Sequence, residues 1–322
     1  MSSLYRYIFF VILLLGVSSP CQAGTAPFSV GVVFSADNSL NRETYKAFTR
    51  TLHASGFGPD KLKLFVQKPH ADLFSWANSA RRAEAAGIDV LVTFGSPVTR
   101  IALRETSSLQ VVFAGVFTPL EAPIEGHRIV SGRDLKLASG IYSEVPLATL
   151  VKAYVEAHGA GTVTAVFHQA DLDASYQLVL IRQAAAIYGL TVNSVVIDPL
   201  QFSTSLHQLN DASDAFIVSN LLFEDEQLDS LFAHLQNLKR PVLGLGSGLA
   251  EKGALVSLEN DQREQGTVAA QQLVKLLEGH TGIQLPRQKP REVNLVLNLP
   301  VARSLNLKMP FDLLSAATRI IR

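Results

Sequence analysis

Short apolar runs at 29–34, 63–67, 90–94, 111–116, 162–168, 191–197, 215–219 and 242–245 alternate along the chain with amphipathic stretches at 42–55, 73–86, 98–105, 147–157, 175–188, 224–238 and 263–277. This alternation limits the possible folds more than any other feature. The runs are apolar throughout rather than at every second residue, which suits strands buried on both faces of a parallel sheet. Parallel neighbours need a crossover connection, and each intervening helical stretch is long enough to supply one. The pattern therefore predicts an α/β protein with doubly wound sheets. Four helical stretches run into Gly56, Gly87, Gly159 and Gly189 before the next strand, where glycine can close a helix in the left-handed conformation.

The chain has 322 residues, enough for two such units. A loop-like stretch at 119–134 interrupts the pattern, which restarts near 140 with four or five strands on either side. Two Rossmann-like lobes joined by a hinge are expected, the first from 24–140 plus 246–282 and the second from 141–245 plus 283–322. Residues 1–23 have the layout of a cleavable secretory signal: Arg6, the apolar run 8–15, and small residues ending at Ala23. That run is too short to span a bilayer, which takes about 20 residues. Cys21, the sole cysteine, leaves with the signal. The mature chain then cannot rely on disulfides, even in the periplasm where it is expected.

Apolar residues make up 48% of the chain and charged ones 17%, so a large core can be buried. The formal net charge is zero, and no basic run marks a nucleic-acid partner. The eight histidines show no metal-ligand spacing. The Gly244-x-Gly246-x-Gly248 series lacks the spacing of a dinucleotide fingerprint, and no phosphate-binding loop motif is present. No cofactor is implied.

Ligands in open α/β sheets bind beyond the carboxyl ends of the strands. The residues there are Ser35-Ala36-Asp37-Asn38, Gly95-Ser96-Pro97, Phe117-Thr118-Pro119, Gln169 through Ser175, Asn220-Leu221 and Gly246-Ser247-Gly248. They are hydroxyls, amides and turn glycines, with few groups that exchange protons near neutrality. Ser96 lacks the G-x-S-x-G frame of a nucleophile elbow, and an enzyme is not expected. As an N-cap with Pro97 at the first helical position, Ser96 reads as a helix start. The same geometry leaves free N–H groups that suit an anionic ligand, so cap and ligand contact both stay open. His168 reads as a satisfied core histidine, Trp76 as packing, and the run Glu224-Asp225-Glu226 as complement to a helix dipole. Phe117 is open between core and aromatic wall.

Four segments carry a family resemblance: "GIDVLVTFGSPVTRIAL", "LQVVFAGVFTPLEAP", "RPVLGLGSGLAEKGALVSLENDQREQGTVAAQQLVKLLEGH" and "NLVLNLPVARSLNLKMPFDLL". In this order they resemble the substrate-binding proteins of ABC transporters, relatives of the tryptophan- and tyrosine-binding lipoproteins, over essentially the whole mature chain. The resemblance implies a type I periplasmic-binding-protein fold that captures a small-molecule ligand between its lobes. The implied partner is an ABC transporter permease, with membrane contact only through that partner; a ligand-sensing subunit for a membrane receptor is the alternative. Carried over by position, the cleft residues would be Ser35, Gly95, Ser96, Phe117, Thr118, Gln169, Asp173, Ser175, Asn220 and Ser247. The chain departs from the family where Thr-Asp-Asn is replaced by Ser219-Asn220-Leu221, Asp-Pro by Thr118-Pro119, and Asn-Ser by Ala174-Ser175. The aspartate that would meet a ligand ammonium is missing. Amino-acid specificity does not follow, Asp37 or Asp173 would have to replace the lost charge, and a carboxylate, an amide or a neutral heterocycle is expected to bind better.

Overall fold

The apolar runs become strands, and most are buried along their length, the edge runs 62–67 and 191–197 excepted. The computed structural model describes residues 27–124, 130–210 and 212–322, so the expected signal segment 1–23 lies outside the described residues. From the amino end the chain forms β1 (Phe28–Phe34), α1 (Ser39–Ala54), β2 (Leu62–Gln67), α2 (Leu73–Ala85), β3 (Val90–Phe94), α3 (Ser96–Glu105), β4 (Gln110–Val116), α4 (Gly132–Leu135) and β5 (Ala138–Tyr142). The second half repeats the theme with α5 (Leu147–His158), β6 (Thr162–His168), α6 (Ala174–Ile187), β7 (Thr191–Ile197), α7 (Phe202–Leu206), β8 (Ala215–Ser219), α8 (Asp225–Asn237), β9 (Val242–Leu245), α9 (Leu249–Lys252) and β10 (Val256–Asn260). It ends with α10 (Gln262–Leu277), β11 (Arg287–Gln288), β12 (Val293–Asn298), α11 (Leu299–Ser304), α12 (Phe311–Ala316) and β13 (Arg319–Ile321).

Two sheets result, in the orders β11-β5-β4-β3-β1-β2 and β13-β12-β10-β9-β8-β6-β7. All neighbours run parallel except β10 and β12. This is the α/β, doubly wound class that the alternation predicts. In the first sheet one face packs on α1 and α10 through Phe48, Leu52, Val268 and Leu273, and the other on α2 and α3 through Trp76, Ala80, Val98 and Ile101. The second sheet is covered by α5 and α6 on one face and α8 on the other. Helix starts follow local chemistry: the Asn38, Asp72 and Asp261 side chains accept from the backbone N–H groups of Asn41, Ser75 and Arg263. Gly56, Gly87, Gly159 and Gly189 all have positive φ, as helix closure requires.

The chain passes between the sheets after β5, after β10 and after β11. The expected lobe division differs at the second and third of these passages, since β11, within the 283–322 assigned to the second lobe, pairs with β5 of the first sheet. Residues 246–260 run with the second sheet, since β10 pairs with β9 and β12, and only from Gln262 does the chain join the first. The apolar pattern hides this because β10 carries Ser257 and Glu259. Both are buried, and they satisfy each other by a 2.8 Å hydrogen bond while Arg319 of β13 pairs with the carboxylate. Strand β5, which holds Ser139 and Gly140, escapes the pattern for the same reason.

Helices α1 and α10 approach closely because α10 has a glycine at the crossing. A Cβ on Gly266 would lie 2.1 Å from the Thr44 carbonyl oxygen and 2.7 Å from the Phe48 nitrogen, both backbone atoms that cannot move aside. Gly266→Ala is expected to lower stability by about 1–3 kcal/mol, the range for overpacking a core. Urea denaturation at constant m-value checks it.

Candidate functional site: the cleft between the lobes

In each sheet the strand order reverses direction at one place: between β1 and β3 in the first, and between β6 and β8 in the second. Crevices form at such points because neighbouring connections leave on opposite faces. The two crevices face each other. The first offers Ser35, Asn38, Gly95 and Ser96; the second offers Asp171, Asp173, Asn220 and Leu221.

The close approach of backbones here explains two glycines. At Gly95 φ is +108°, and a Cβ would fall 2.0 Å from the Ser35 hydroxyl oxygen. Gly246 has φ +133°, and a Cβ there would fall 2.0 Å from Asn220 Oδ1. Trp76, read as packing, is fully buried and also donates from Nε1 to the Ser35 carbonyl at 3.1 Å.

Ser96 is not the N-cap that the sequence suggests. Gly95 holds that position, Ser96 is the first helical residue, and no side chain caps α3. The extended turn that lets Ser35 approach Gly95 moves the cap back by one residue. The Ser96 hydroxyl instead accepts from the Phe117 N–H at 2.8 Å, tying the end of β4 to the start of α3.

Across the cleft the contacts are specific. Asn38 Nδ2 donates to the carbonyls of Asn220, Leu221 and Phe223 at 3.2–3.3 Å. Asp225, read from sequence as a dipole partner, accepts from the Ser39 N–H and hydroxyl and pairs with Arg42. Leu222 is buried among the first lobe's core side chains around Trp76 and Val98. Deepest of all, Arg100 of α3 reaches Asp173 at 3.3 Å, with both side chains buried. Its remaining N–H groups donate to the carbonyls of Thr118, Pro119 and Leu120 at 2.8–3.2 Å. Asp173 also accepts from the Thr118 N–H at 3.2 Å.

The structure brings together Ser35, Gly95, Ser96, Thr118, Asp173, Asn220 and Ser247, the last through the Asn220 Nδ2 bond to its carbonyl at 2.8 Å. Ser35, Gly95 and Ser96 line a void of about 10 Å³ with Asn41, Leu221 and Gln262. Gln169 is exposed, and Ser175 is half-buried at the start of α6. Asp37 is 41% exposed at the rim, where Arg42 and Lys68 pair with it. Phe117 packs into the second lobe's core, which answers the question left open for it. Sequence reasoning missed Arg100, Leu222 and Gln262, and it listed Asn38 at a strand end without giving it a role. Arg100 alone left a signal, as a charge within the otherwise apolar face of α3.

Burial pushes the carboxyls of both Asp171 and Asp173 upward, and the neighbouring Asp173 carboxylate raises Asp171 further. Arg100, the Ser96 hydroxyl and the Thr118 N–H pull Asp173 back toward ionisation. Among the described residues Asp171 has no cation beside it, and its pKa rises to about 7. His168 is buried edge-on to Phe223 and accepts from the Ala170 N–H, as a satisfied core histidine; burial lowers its pKa to about 4.

Comparison with known proteins places these features in context. A family model for ABC transporter substrate binding proteins matches residues 29–321. An ABC domain in complex with L-Trp from Streptococcus pneumoniae superposes with a TM-score of 0.81 at 20% identity, covering 92% of this chain and 100% of that one. A conserved domain protein from Vibrio cholerae gives 0.80 at 20% identity, with 91% and 99% covered. A ligand-free, open substrate-binding protein with adhesive properties from Clostridium difficile gives 0.61 at 17% identity, again with 91% and 99% covered. No curated protein matches the sequence. These likenesses establish the type I periplasmic-binding-protein fold.

Two predictions arise from the site. Ser96→Ala leaves the buried Phe117 N–H without an acceptor and should cost about 1–3 kcal/mol; Ser96→Gly should not rescue it, since no cap is at stake, and chemical denaturation of both variants measures this. The second concerns pH. The unfolded chain protonates His168 near 6.5 and the folded one only near 4, so this group lowers stability as pH falls through that window. Asp171 acts oppositely: the folded carboxyl keeps its proton up to about 7 and the unfolded one only to about 3.8, so acidification adds stability. The two slopes offset each other. Asp171→Asn should make the protein lose stability from pH 6.5 to 4, and His168→Asn should make it gain, each by up to about 1.4 kcal/mol per pH unit. Melting curves across that range check both.

Proposed function

The chain belongs to the ABC transporter substrate-binding protein family, and on that premise we propose that it captures a small organic solute between its lobes and delivers it to the permease of an ABC importer. Capture takes place in the periplasm after loss of residues 1–23. One observation carries the reading: the two crevices where strand order reverses face each other, and polar contacts from both lobes meet there. No catalytic step is involved. Asn38, Asp225, Leu222 and the Arg100–Asp173 pair make their cross-cleft contacts only when the lobes are together. A solute that touches both lobes adds its own differential binding to these contacts and shifts the population toward the closed form. A permease can then distinguish loaded from unloaded protein by shape.

The solute retained by protein purified from its host, identified by native mass spectrometry, is the probe. At a hundred times Kd it should stabilise the protein by about 2.7 kcal/mol. Asp225→Ala removes contacts made only in the closed form and should leave each lobe's stability within about 0.5 kcal/mol. It should weaken solute binding by about 0.2–1 kcal/mol and enlarge the radius of gyration seen by solution scattering. Unchanged affinity and unchanged scattering in this variant would remove the closing mechanism.

A further inference from the structure

Resting on the reading of the cleft as a solute site, we propose that its solute is an uncharged molecule with several hydrogen-bonding groups and one apolar face. Free amino acids, carboxylates and organic cations are excluded. The inference follows from where the charges of the cleft are already spent. Among the described residues, the void between the lobes is lined by hydroxyls, amides, glycines and the apolar side chains of Leu40, Phe94, Leu221 and Leu222, with no charged group. Beside it the buried Arg100 and Asp173 neutralise each other, and burial holds the Asp171 carboxyl toward its neutral form. Arg100 has its other N–H groups directed at three loop carbonyls. Asp173 accepts from the Thr118 N–H, and Arg100, that N–H and the Ser96 hydroxyl all favour its ionised form against the effect of burial. The protein's own carboxylate thus stands beside the start of α3, where an anionic ligand would gain most. A ligand carboxylate would meet that negative charge, and a ligand ammonium would find a carboxylate already committed to arginine. Burying either without a partner costs several kcal/mol.

What the cleft does offer is neutral hydrogen-bonding capacity. Of the groups lining the void, the Ser35 hydroxyl is buried without a protein partner; five more such oxygens stand outside that lining, at or just past the carboxyl ends of strands: the hydroxyls of Thr118, Ser143 and Ser219 and the amide oxygens of Asn220 and Asn260. Hydroxyls can donate or accept, whereas the two amide oxygens only accept. A solute bearing amide N–H or hydroxyl groups can satisfy both kinds, and each buried group left unmatched is costly. Leu221 marks the apolar side. It lines the void and packs against side chains of both lobes. A solute of more than a few atoms must displace Leu221 and take the surface it covers while the rim contacts hold the lobes together, since the void holds no more than about one water.

The test uses matched pairs differing in charge: nicotinamide against nicotinate, benzamide against benzoate, and tryptophol against tryptophan and tryptamine. Melting shifts and calorimetry are read on the mature protein, beside native mass spectrometry of any solute retained from the host. The expected result is a neutral retained solute, with the charged member of any pair that binds weaker by at least about tenfold. A retained amino acid, carboxylate or cation, or a charged member binding as tightly as its neutral partner, overturns the proposal and leaves the solute-binding reading standing. No retained molecule and no shift with any pair overturns the solute-binding reading and this proposal with it.

Discussion

A guanidinium that cannot lose its charge is buried where the lobes meet, and the surrounding backbone is arranged around it. Arginine stays protonated at any physiological pH, so burial of Arg100 demands partners for its N–H groups. They come from the carbonyls of Thr118, Pro119 and Leu120 in one lobe and the Asp173 carboxylate in the other. Turning those carbonyls inward sets the course of the loop after β4. That course aims the Thr118 N–H at Asp173, the Phe117 N–H at Ser96, and the Phe117 ring into the second lobe. Breaking such a pair from one side costs far more than an exposed ion pair contributes.

The remaining cross-cleft contacts divide by depth. Leu222 supplies apolar burial worth about 1.5–3 kcal/mol, while the buried Asn38 and, at the rim, Asp225 supply direction. None is large alone, so the interface resembles the modest ones between domains that move relative to each other. That is the energetic setting a solute needs if its own contacts are to decide the position of the lobes.

Three passages of chain connect the lobes, and the middle one carries unusual responsibility. After β10 ends at Asn260, its side chain donates to the Ser143 carbonyl beside the first passage. Helix α10 then enters the first lobe, where Gln265 joins β4 to β5 through the Gly115 N–H and the Tyr142 carbonyl. Gln262, one turn earlier, bonds Thr44 of the first lobe and Ser247 of the second. The passages are therefore fastened to one another by amide side chains, and no glycine linker separates them. Relative motion of the lobes must pivot on these amides.

Sequence alone determined the α/β class, eight of the strands nearly to the residue, the seven long helices and the glycine closures, because apolar periodicity and turn chemistry are local properties. It also placed Ser35, Ser96, Thr118, Asp173 and Asn220 at strand ends, since a parallel sheet brings every carboxyl end to one edge. It misread β5 and β10, whose small or polar residues are compatible with burial only once Arg319 and neighbouring strands are in place. It made Ser96 a cap, although the cap shifts to Gly95 when Ser35 packs against the turn. Asp225 read as a helix-dipole residue until Arg42 and Ser39 arrived from 183 and 186 positions away. The charge balance of the cleft was wholly a tertiary matter. Arg100 and Asp173 are 73 residues apart, and whether either charge is free for a ligand depends on a distance that no local pattern encodes.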